Sequence, residues 1–276
     1  MSSKYIVKEL LKEITQTLNP KIPRASREAQ LLLMHFLEVD ELWLLTNRNT
    51  QVKDTDKLFE MVKKREQNIP LEYITNKVSF YSQEFYIDEG ALIPRPETEL
   101  FIDEVIKNVP DKNTDITFVE VGVGSGIISI VLAQTYPNAK FIAVDISPVA
   151  LEVSKKNISK FRLENRIELR LGSLLYEVDE KIDYLISNPP YIANKALLES
   201  NLSFEPQNAL FGGVVGDEII NDLLDEVLKR EINFFTCEIG YDQKGRISSK
   251  LNNKTFSHLS FYKDLSDFDR GFTLRL

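Results

Sequence analysis

Apolar residues at Tyr5, Ile6, Leu10, Leu11, Ile14 and Leu18 recur three or four positions apart, which predicts an amphipathic helix as the chain's first element. Asn19-Pro20 ends it, because proline donates no backbone hydrogen bond and restricts the residue before it. A second helix is predicted over residues 25–37, with Ala29, Leu32, Leu33 and Phe36 on one side. Two more follow, with Asp40 and Asp54 as candidate N-caps. His35, Met34 and Trp43 suit a core or its boundary. Around Asn68-Ile69-Pro70 the pattern changes. Residues 78–81 and 84–87 read as two short aromatic strands joined through Ser82-Gln83, a hairpin expected to connect two domains. In residues 93–99, Pro94 and Pro96 fix an extended path before a helix starting near Glu97.

From Thr117 onward short apolar runs alternate with helical stretches, the pattern of a parallel sheet covered on both faces. Strands are predicted at 117–121, 140–144, 167–171, 183–187 and 233–238, and helices at 127–136, 148–160, 217–229 and 244–252. Residues 256–261 and 271–276 read as a closing pair, making seven strands. The expected architecture is α/β: a helical domain over 1–76, a hairpin linker over 77–90, and a mostly parallel sheet domain over 91–276.

Composition narrows this picture. At 276 residues and 43% hydrophobic, the chain can bury one sizeable core and a small second one. No apolar run reaches the roughly 18 residues of a membrane span, and Met1-Ser2-Ser3-Lys4 leads into a charged periodic segment, so a cytoplasmic protein with no membrane partner is expected. One cysteine, Cys237, and two distant histidines, His35 and His258, supply neither a disulfide framework nor a zinc cluster, and no metal is expected. The net charge of −8 weighs against a partner held by broad phosphate neutralisation, so no direct nucleic-acid substrate is expected. Lys63-Lys64-Arg65 reads as a solvated helix face.

Two motifs carry chemistry. Residues 118–126 run from a strand through Gly122, Val123, Gly124, Ser125 and Gly126 into a helix. Glycines there take unusual backbone angles and let a ligand approach the main chain, while the helix start offers free N–H groups. The dinucleotide fingerprint is G-x-G-x-x-G, and this chain has G-x-G-x-G, a spacing that favours the methyl donor S-adenosylmethionine. Asp145 closes the next strand, where a carboxylate can accept hydrogen bonds from the ribose hydroxyls of an adenosine. Glu120 can complement the donor's amino group or sulfonium, or bond the backbone of the loop.

The second motif is Asn188-Pro189-Pro190-Tyr191, at the end of the fourth predicted strand, the edge of an open α/β sheet where ligands bind. A planar nitrogen whose lone pair is delocalised is a weak nucleophile and must be held in line with the donor's S–CH3 bond. The Asn188 side-chain oxygen can accept one N–H of such an acceptor and a proline carbonyl, that of Pro189, the other, while Pro190 stiffens the turn. Tyr191 offers a flat wall. These residues serve amide nitrogens and the exocyclic amines of nucleic-acid bases alike. A nicotinamide dehydrogenase would leave this tetrapeptide unexplained, and intact Asn188 weighs against an adaptor that only binds cofactor.

Over nearly its whole length the chain resembles the release factor N5-glutamine methyltransferases of the HemK/PrmC type, a class I methyltransferase family. The resemblance rests on residues 69–74, 92–99, 120–126 and 187–191, on Phe204-Glu205-Pro206 with Ala209-Leu210-Phe211-Gly212-Gly213, on Glu238-Ile239-Gly240 with Gln243, and on Asp264-Leu265 with Asp269-Arg270. It implies a Rossmann-like fold behind a helical domain that grips the release factor, and methylation of the glutamine in the Gly-Gly-Gln loop. A ribosomal protein glutamine is the alternative protein acceptor. It also implies that the loop Gly172-Ser173-Leu174 covers the adenine, with Leu174 as an apolar contact. Asn68 and Asn76 stand where relatives commonly carry glycine, and Gly216-Asp217-Glu218 where they carry Asp-Gly-Leu.

Overall fold

The structure, a computed structural model, describes residues 5–198 and 202–276; residues 1–4, read above for a signal core, lie outside them. Contacts divide the chain into two units, residues 1–77 with 199–204 and residues 78–198 with 205–276.

The first unit comprises β1 (Tyr5–Ile6), α1 (Val7–Leu18), α2 (Ala25–Leu37), α3 (Glu41–Thr46), β2 (Gln51–Val52), α4 (Asp56–Glu66) and α5 (Leu71–Thr75). Helix α1 starts later than its apolar period predicts, because Tyr5 and Ile6 pair antiparallel with Val52 and Gln51. Its core joins Leu10, Ile14 and Leu18 to Leu32 and Leu33 of α2 and to Leu58 and Met61 of α4. Met34 and Trp43 pack partly buried against that core, as their positions predicted. Asp40 caps α3, its Oδ1 accepting the Trp43 N–H at 2.7 Å. Asp40→Ala is expected to cost about 1 kcal/mol, seen as a lower urea midpoint at unchanged slope. Asp54 is no cap: Thr55 holds the N-cap position of α4, and Asp54 sits at φ 54°. Within the Lys63–Arg65 run, Arg65 departs from the solvated-face expectation. It is partly buried and forks onto Glu28 of α2, with Nη2 3.0 Å from Oε1 and a second contact from Nε. Asn68 and Asn76 lie at φ 66° and 55°, the left-handed region that asparagine tolerates best after glycine.

The hairpin β3 (Lys77–Phe80) and β4 (Gln83–Tyr86) comes next, all but its first residue in the second unit. Its turn is Tyr81-Ser82, one residue earlier than predicted: both have positive φ, 50° and 58°, as a two-residue hairpin turn requires. Glu99 Oε1 accepts the Tyr81 N–H at 2.7 Å and Asp103 Oδ1 its hydroxyl at 2.8 Å, which fixes the register.

Then follow α6 (Glu97–Asn108), β5 (Thr117–Val121), α7 (Ile127–Thr135), β6 (Lys140–Asp145), α8 (Pro148–Lys160), β7 (Ile167–Leu171), β8 (Tyr184–Ser187), β9 (Ile192–Ala193), β10 (Phe211–Gly213), α9 (Glu218–Arg230), β11 (Phe234–Glu238), α10 (Lys244–Leu251), β12 (His258–Lys263) and β13 (Asp269–Arg275). The hairpin expected as a linker groups with this unit: the buried Asn157 of α8 accepts from Tyr86 N at 2.7 Å and donates to Tyr86 O at 2.9 Å and Ser125 O at 2.8 Å.

Seven strands form one sheet in the order β12-β13-β11-β8-β5-β6-β7, with β13 antiparallel to both neighbours and the others parallel. Near the amino ends of β6, β5, β8 and β11 a row of rings crosses the sheet. Phe118 stacks on Phe141 at 4.9 Å and lies 5.4 Å from Tyr184, which stacks on Phe234 at 5.2 Å. Such cross-strand aromatic pairs fix register, so the carboxyl ends of the strands are aligned too, with Val121 opposite Ser187 and Ser187 opposite Cys237. Helices α9 and α10 bury Leu223, Leu224, Ile247 and Leu251 against one face, while α6 packs on β11 and β13. The chain order reverses between β5 and β8. In an open α/β sheet the crevice at such a point is where ligands bind.

Candidate functional site

Both chemical motifs leave the sheet at that crevice. Gly122 follows β5 and Asn188 follows the adjacent β8, and a Cβ added to Gly122 would lie 3.7 Å from the Asn188 carbonyl oxygen. A cavity of about 220 Å³ lies between them. Gly122, Val123, Gly124, Ser125, Asp145 and Leu174 line it, as do Asn188, Pro189 and Pro190, and Pro94, Arg95, Thr98, Pro206 and Asn208.

The glycine turn is left-handed at three points, φ 80°, 54° and 81° for Gly122, Gly124 and Gly126, which L side chains resist. Asp145 braces it: Oδ2 accepts the Gly124 N–H and Oδ1 the Ser147 N–H, each at 2.9 Å. Burial raises the Asp145 pKa and those backbone donors oppose the rise. Asp145 itself lines the cavity. No atom lies within 4 Å of the place a Gly124 Cβ would take, so the turn has room beside its main chain. With an acid at one end, an open backbone turn and the apolar Leu174 beside them, these residues fit an adenosine-bearing methyl donor. Asp145→Asn is expected to weaken donor binding about 10- to 100-fold, the effect of losing a charged acceptor, measured by titration calorimetry.

Two residues expected at the cofactor do not line the cavity. Gly126 caps α7 from behind, where a Cβ would come within 3.3 Å of Ser154. Glu120 is buried under the turn, with Oε2 accepting the Ser129 N–H at 3.1 Å and the Ser129 hydroxyl. Burial, reinforced by Asp145, pushes its pKa up to about 8 against those two bonds. Glu120 Oε2 thus bonds backbone at the first turn of α7, while its buried Oε1 has no hydrogen-bond partner among the described residues. Because its folded pKa is raised, Glu120 favours the fold at low pH and withdraws that stability as pH rises toward 8.

At the other motif, three of the four carbonyls have near neighbours in the protein. That of Asn188 faces Gly122, that of Pro190 lies against Gly212, and that of Tyr191 accepts Gln243 Nε2 at 3.1 Å. Tyr191, expected as a flat wall, does not line the cavity; its ring packs against the core shared with α9 and α10, where burial raises its pKa.

Further residues, none assigned a role from sequence, shape the site. Gln243 is buried and uses every polar atom: Nε2 also donates to Gly216 O at 2.9 Å, and Oε1 accepts the Gly240 N–H at 2.9 Å. It thereby ties the tetrapeptide to Gly216 in the segment after β10, and Gly212 of β10 approaches Pro190 so closely that a Cβ would sit 2.3 Å from the Pro190 oxygen. Glu205, also buried, accepts Arg95 Nη2 at 2.6 Å and the Ile93 N–H at 3.1 Å, pinning the proline-rich segment beside the cavity. Behind Asn188, Nδ2 lies 3.3 Å from Thr98 Oγ1, and the Thr98 hydroxyl donates to Glu238 Oε2 at 2.9 Å.

Comparison with known proteins places this site in context. Residues 9–75 match the PrmC N-terminal domain family and residues 96–203 the methyltransferase small domain family. The release factor glutamine methyltransferase of Clostridium botulinum is 34% identical over 253 residues, covering 88% of this chain and 89% of the relative. That of Dictyoglomus turgidum is 39% identical over 234 residues, covering 81% and 83%. Among solved structures, the hMettl16 catalytic domain in complex with MAT2A 3'UTR hairpin 6 superposes with a TM-score of 0.59 over 82% of this chain and 84% of that one, at 14% identity, a likeness of fold alone.

Proposed function

Since the chain belongs to the release factor glutamine methyltransferase family, we propose that it methylates the side-chain nitrogen of the glutamine in a release factor's Gly-Gly-Gln loop, using Asn188 and Pro189 as the acceptor clamp. One observation carries this reading: the glycine turn and the tetrapeptide share one cleft at the ends of adjacent strands, with Asn188 Nδ2 held by Thr98 behind it.

When bound, S-adenosylmethionine supplies an electrophilic methyl group on a positively charged sulfur. Gly122 to Ser125, Asp145 and Leu174 would hold the donor. Asn188 Oδ1 and the Pro189 carbonyl accept the two N–H bonds of the glutamine amide, which aims its nitrogen at the methyl carbon and stabilises the positive charge that grows there. The nitrogen sheds its extra proton to solvent once the new N–C bond has replaced the S–C bond. A neutral clamp suffices for this, because positioning rather than base strength limits so weak a nucleophile.

The helical unit, residues 1–76 in the sequence reading, serves in this account to dock the release factor. No helix among the described residues is long and apolar enough to cross a membrane, and the site of action is the cytoplasm, where translation ends. A protein acceptor rather than a nucleic acid accords with the net charge of −8. Incubation with labelled S-adenosylmethionine and, separately, a release factor, a ribosomal protein and nucleic acid tests the reading. Label on the release factor that disappears when its loop glutamine is replaced is the expected result. Label on nucleic acid alone would sink it.

A further inference from the structure

The Asn188 side chain is useful to an acceptor only if its oxygen, not its nitrogen, faces the cleft. An asparagine amide can flip with little steric change, so something must hold it. Thr98 of α6 and Glu238 at the end of β11 are both buried, 2% exposed each, and neither belongs to the tetrapeptide. Ionised Glu238 can only accept. The Thr98 hydroxyl therefore spends its one proton on Glu238, at 2.9 Å, and has only lone pairs for Asn188, 3.3 Å away. Only Nδ2 can satisfy it. The polarity of the chain is thus dictated from its buried end.

Building on the functional reading above, we infer that Thr98 and Glu238 are positioning residues that lock the Asn188 amide with its oxygen toward the acceptor, and that protonation of Glu238 releases the lock. Protonated Glu238 becomes a donor to Thr98 Oγ1. The Thr98 proton is then free to point at Asn188, which satisfies it only by turning Oδ1 inward, and the outward NH2 meets the acceptor's own N–H donors.

Burial pushes the Glu238 pKa up to about 7, against the hydrogen bond from Thr98 and the nearby Arg270, so the switch falls within the range of ordinary assays. The groups facing it are Arg270 from β13, Glu97 at the start of α6, Tyr191, Tyr262 from β12 and its chain neighbour Cys237. Arg270 stays charged, and burial raises Tyr191, Tyr262 and Cys237, which are therefore neutral through this range. Glu97 is the other carboxyl to separate. The sign for stability is opposite to that for activity. A carboxyl raised in the fold stabilises the protein at low pH and withdraws that stability as pH climbs to about 7, while the locked amide forms over the same climb.

The test is kcat against pH for the full chain with release factor as acceptor, in wild type, Glu238→Gln, Glu97→Gln, Thr98→Val and Thr98→Ser. Wild-type kcat should fall about tenfold per pH unit on the acid side of the Glu238 transition. Glu97→Gln should keep that limb, and Glu238→Gln should lose it and run flat. Thr98→Val should lower kcat about 10- to 100-fold, the scale of a misaligned reacting group, with donor KM unchanged, and Thr98→Ser should restore most of it. Isotope-edited infrared difference spectra between wild type and Glu238→Gln should show a carboxyl titrating at the kinetic midpoint, a readout that needs no turnover. An acid limb that persists in Glu238→Gln, or full activity in Thr98→Val, would overturn the inference while leaving the acceptor assignment intact. Failure of the wild type to label release factor at any pH would instead count against that assignment, and the infrared titration would then decide whether the lock exists.

Discussion

Asn188→Ala is expected to lower kcat by about 100- to 1000-fold, the size of effect seen when one preorganised polar contact to a reacting centre is removed, while the donor dissociation constant changes little. The asymmetry follows from where Asn188 points. Its carbonyl faces Gly122 and its Nδ2 is anchored to Thr98, so deleting the amide leaves the glycine turn and Asp145 in place and removes only the acceptor for the substrate N–H. Single-turnover kinetics with calorimetry on the same preparation checks both halves. Loss of donor binding without loss of the chemical step would mean that Asn188 serves the cofactor.

Gly212→Ala is the second large effect, and it acts without touching substrate. The new Cβ would sit 2.3 Å from the Pro190 oxygen and 2.6 Å from the Gly216 oxygen, and both are backbone atoms that cannot rotate away. The strain should cost about 1–3 kcal/mol of stability, the usual range for overpacking. It is relieved by moving Pro190, so kcat should drop about 100-fold, the scale of an ångström's misplacement. Thermal melting and kcat together check it. Unchanged kcat with a lowered Tm would show that the β9–β10 pair supports the fold but not the tetrapeptide.

The legibility of this chain follows the range of its interactions. Helix α8 and strands β5 and β7 begin and end at the predicted residues, because their apolar periods and flanking turn residues are local signals. The glycine turn and the tetrapeptide were legible for the same reason, and strand order then brings them together. What escaped depends on partners far along the chain. Thr98 meets Asn188 across 90 residues and Glu238 across 140, and Gln243 reaches back 52 residues to Tyr191. One hint was present: Glu238 closes an otherwise uncharged run, Phe234 to Cys237, and a carboxyl in such a strand needs a reason. Glu120 and Tyr191 were assigned to the cavity from position alone. Alternation along β5 turns Glu120 to the same face as Phe118, toward α7, and the apolar core claims the Tyr191 ring. At the hairpin, composition favoured Ser82-Gln83, but side chains of α6 hold Tyr81 in the turn.

The central claim is that the cleft between the glycine turn and Asn188 methylates a glutamine side-chain nitrogen. Tandem mass spectrometry of a release factor after incubation with the enzyme and S-adenosylmethionine tests it most directly. The account predicts one added methyl on the side-chain nitrogen of the Gly-Gly-Gln glutamine with the wild type and none with Asn188→Ala. A methyl on any other residue, or the same yield from Asn188→Ala, would contradict it.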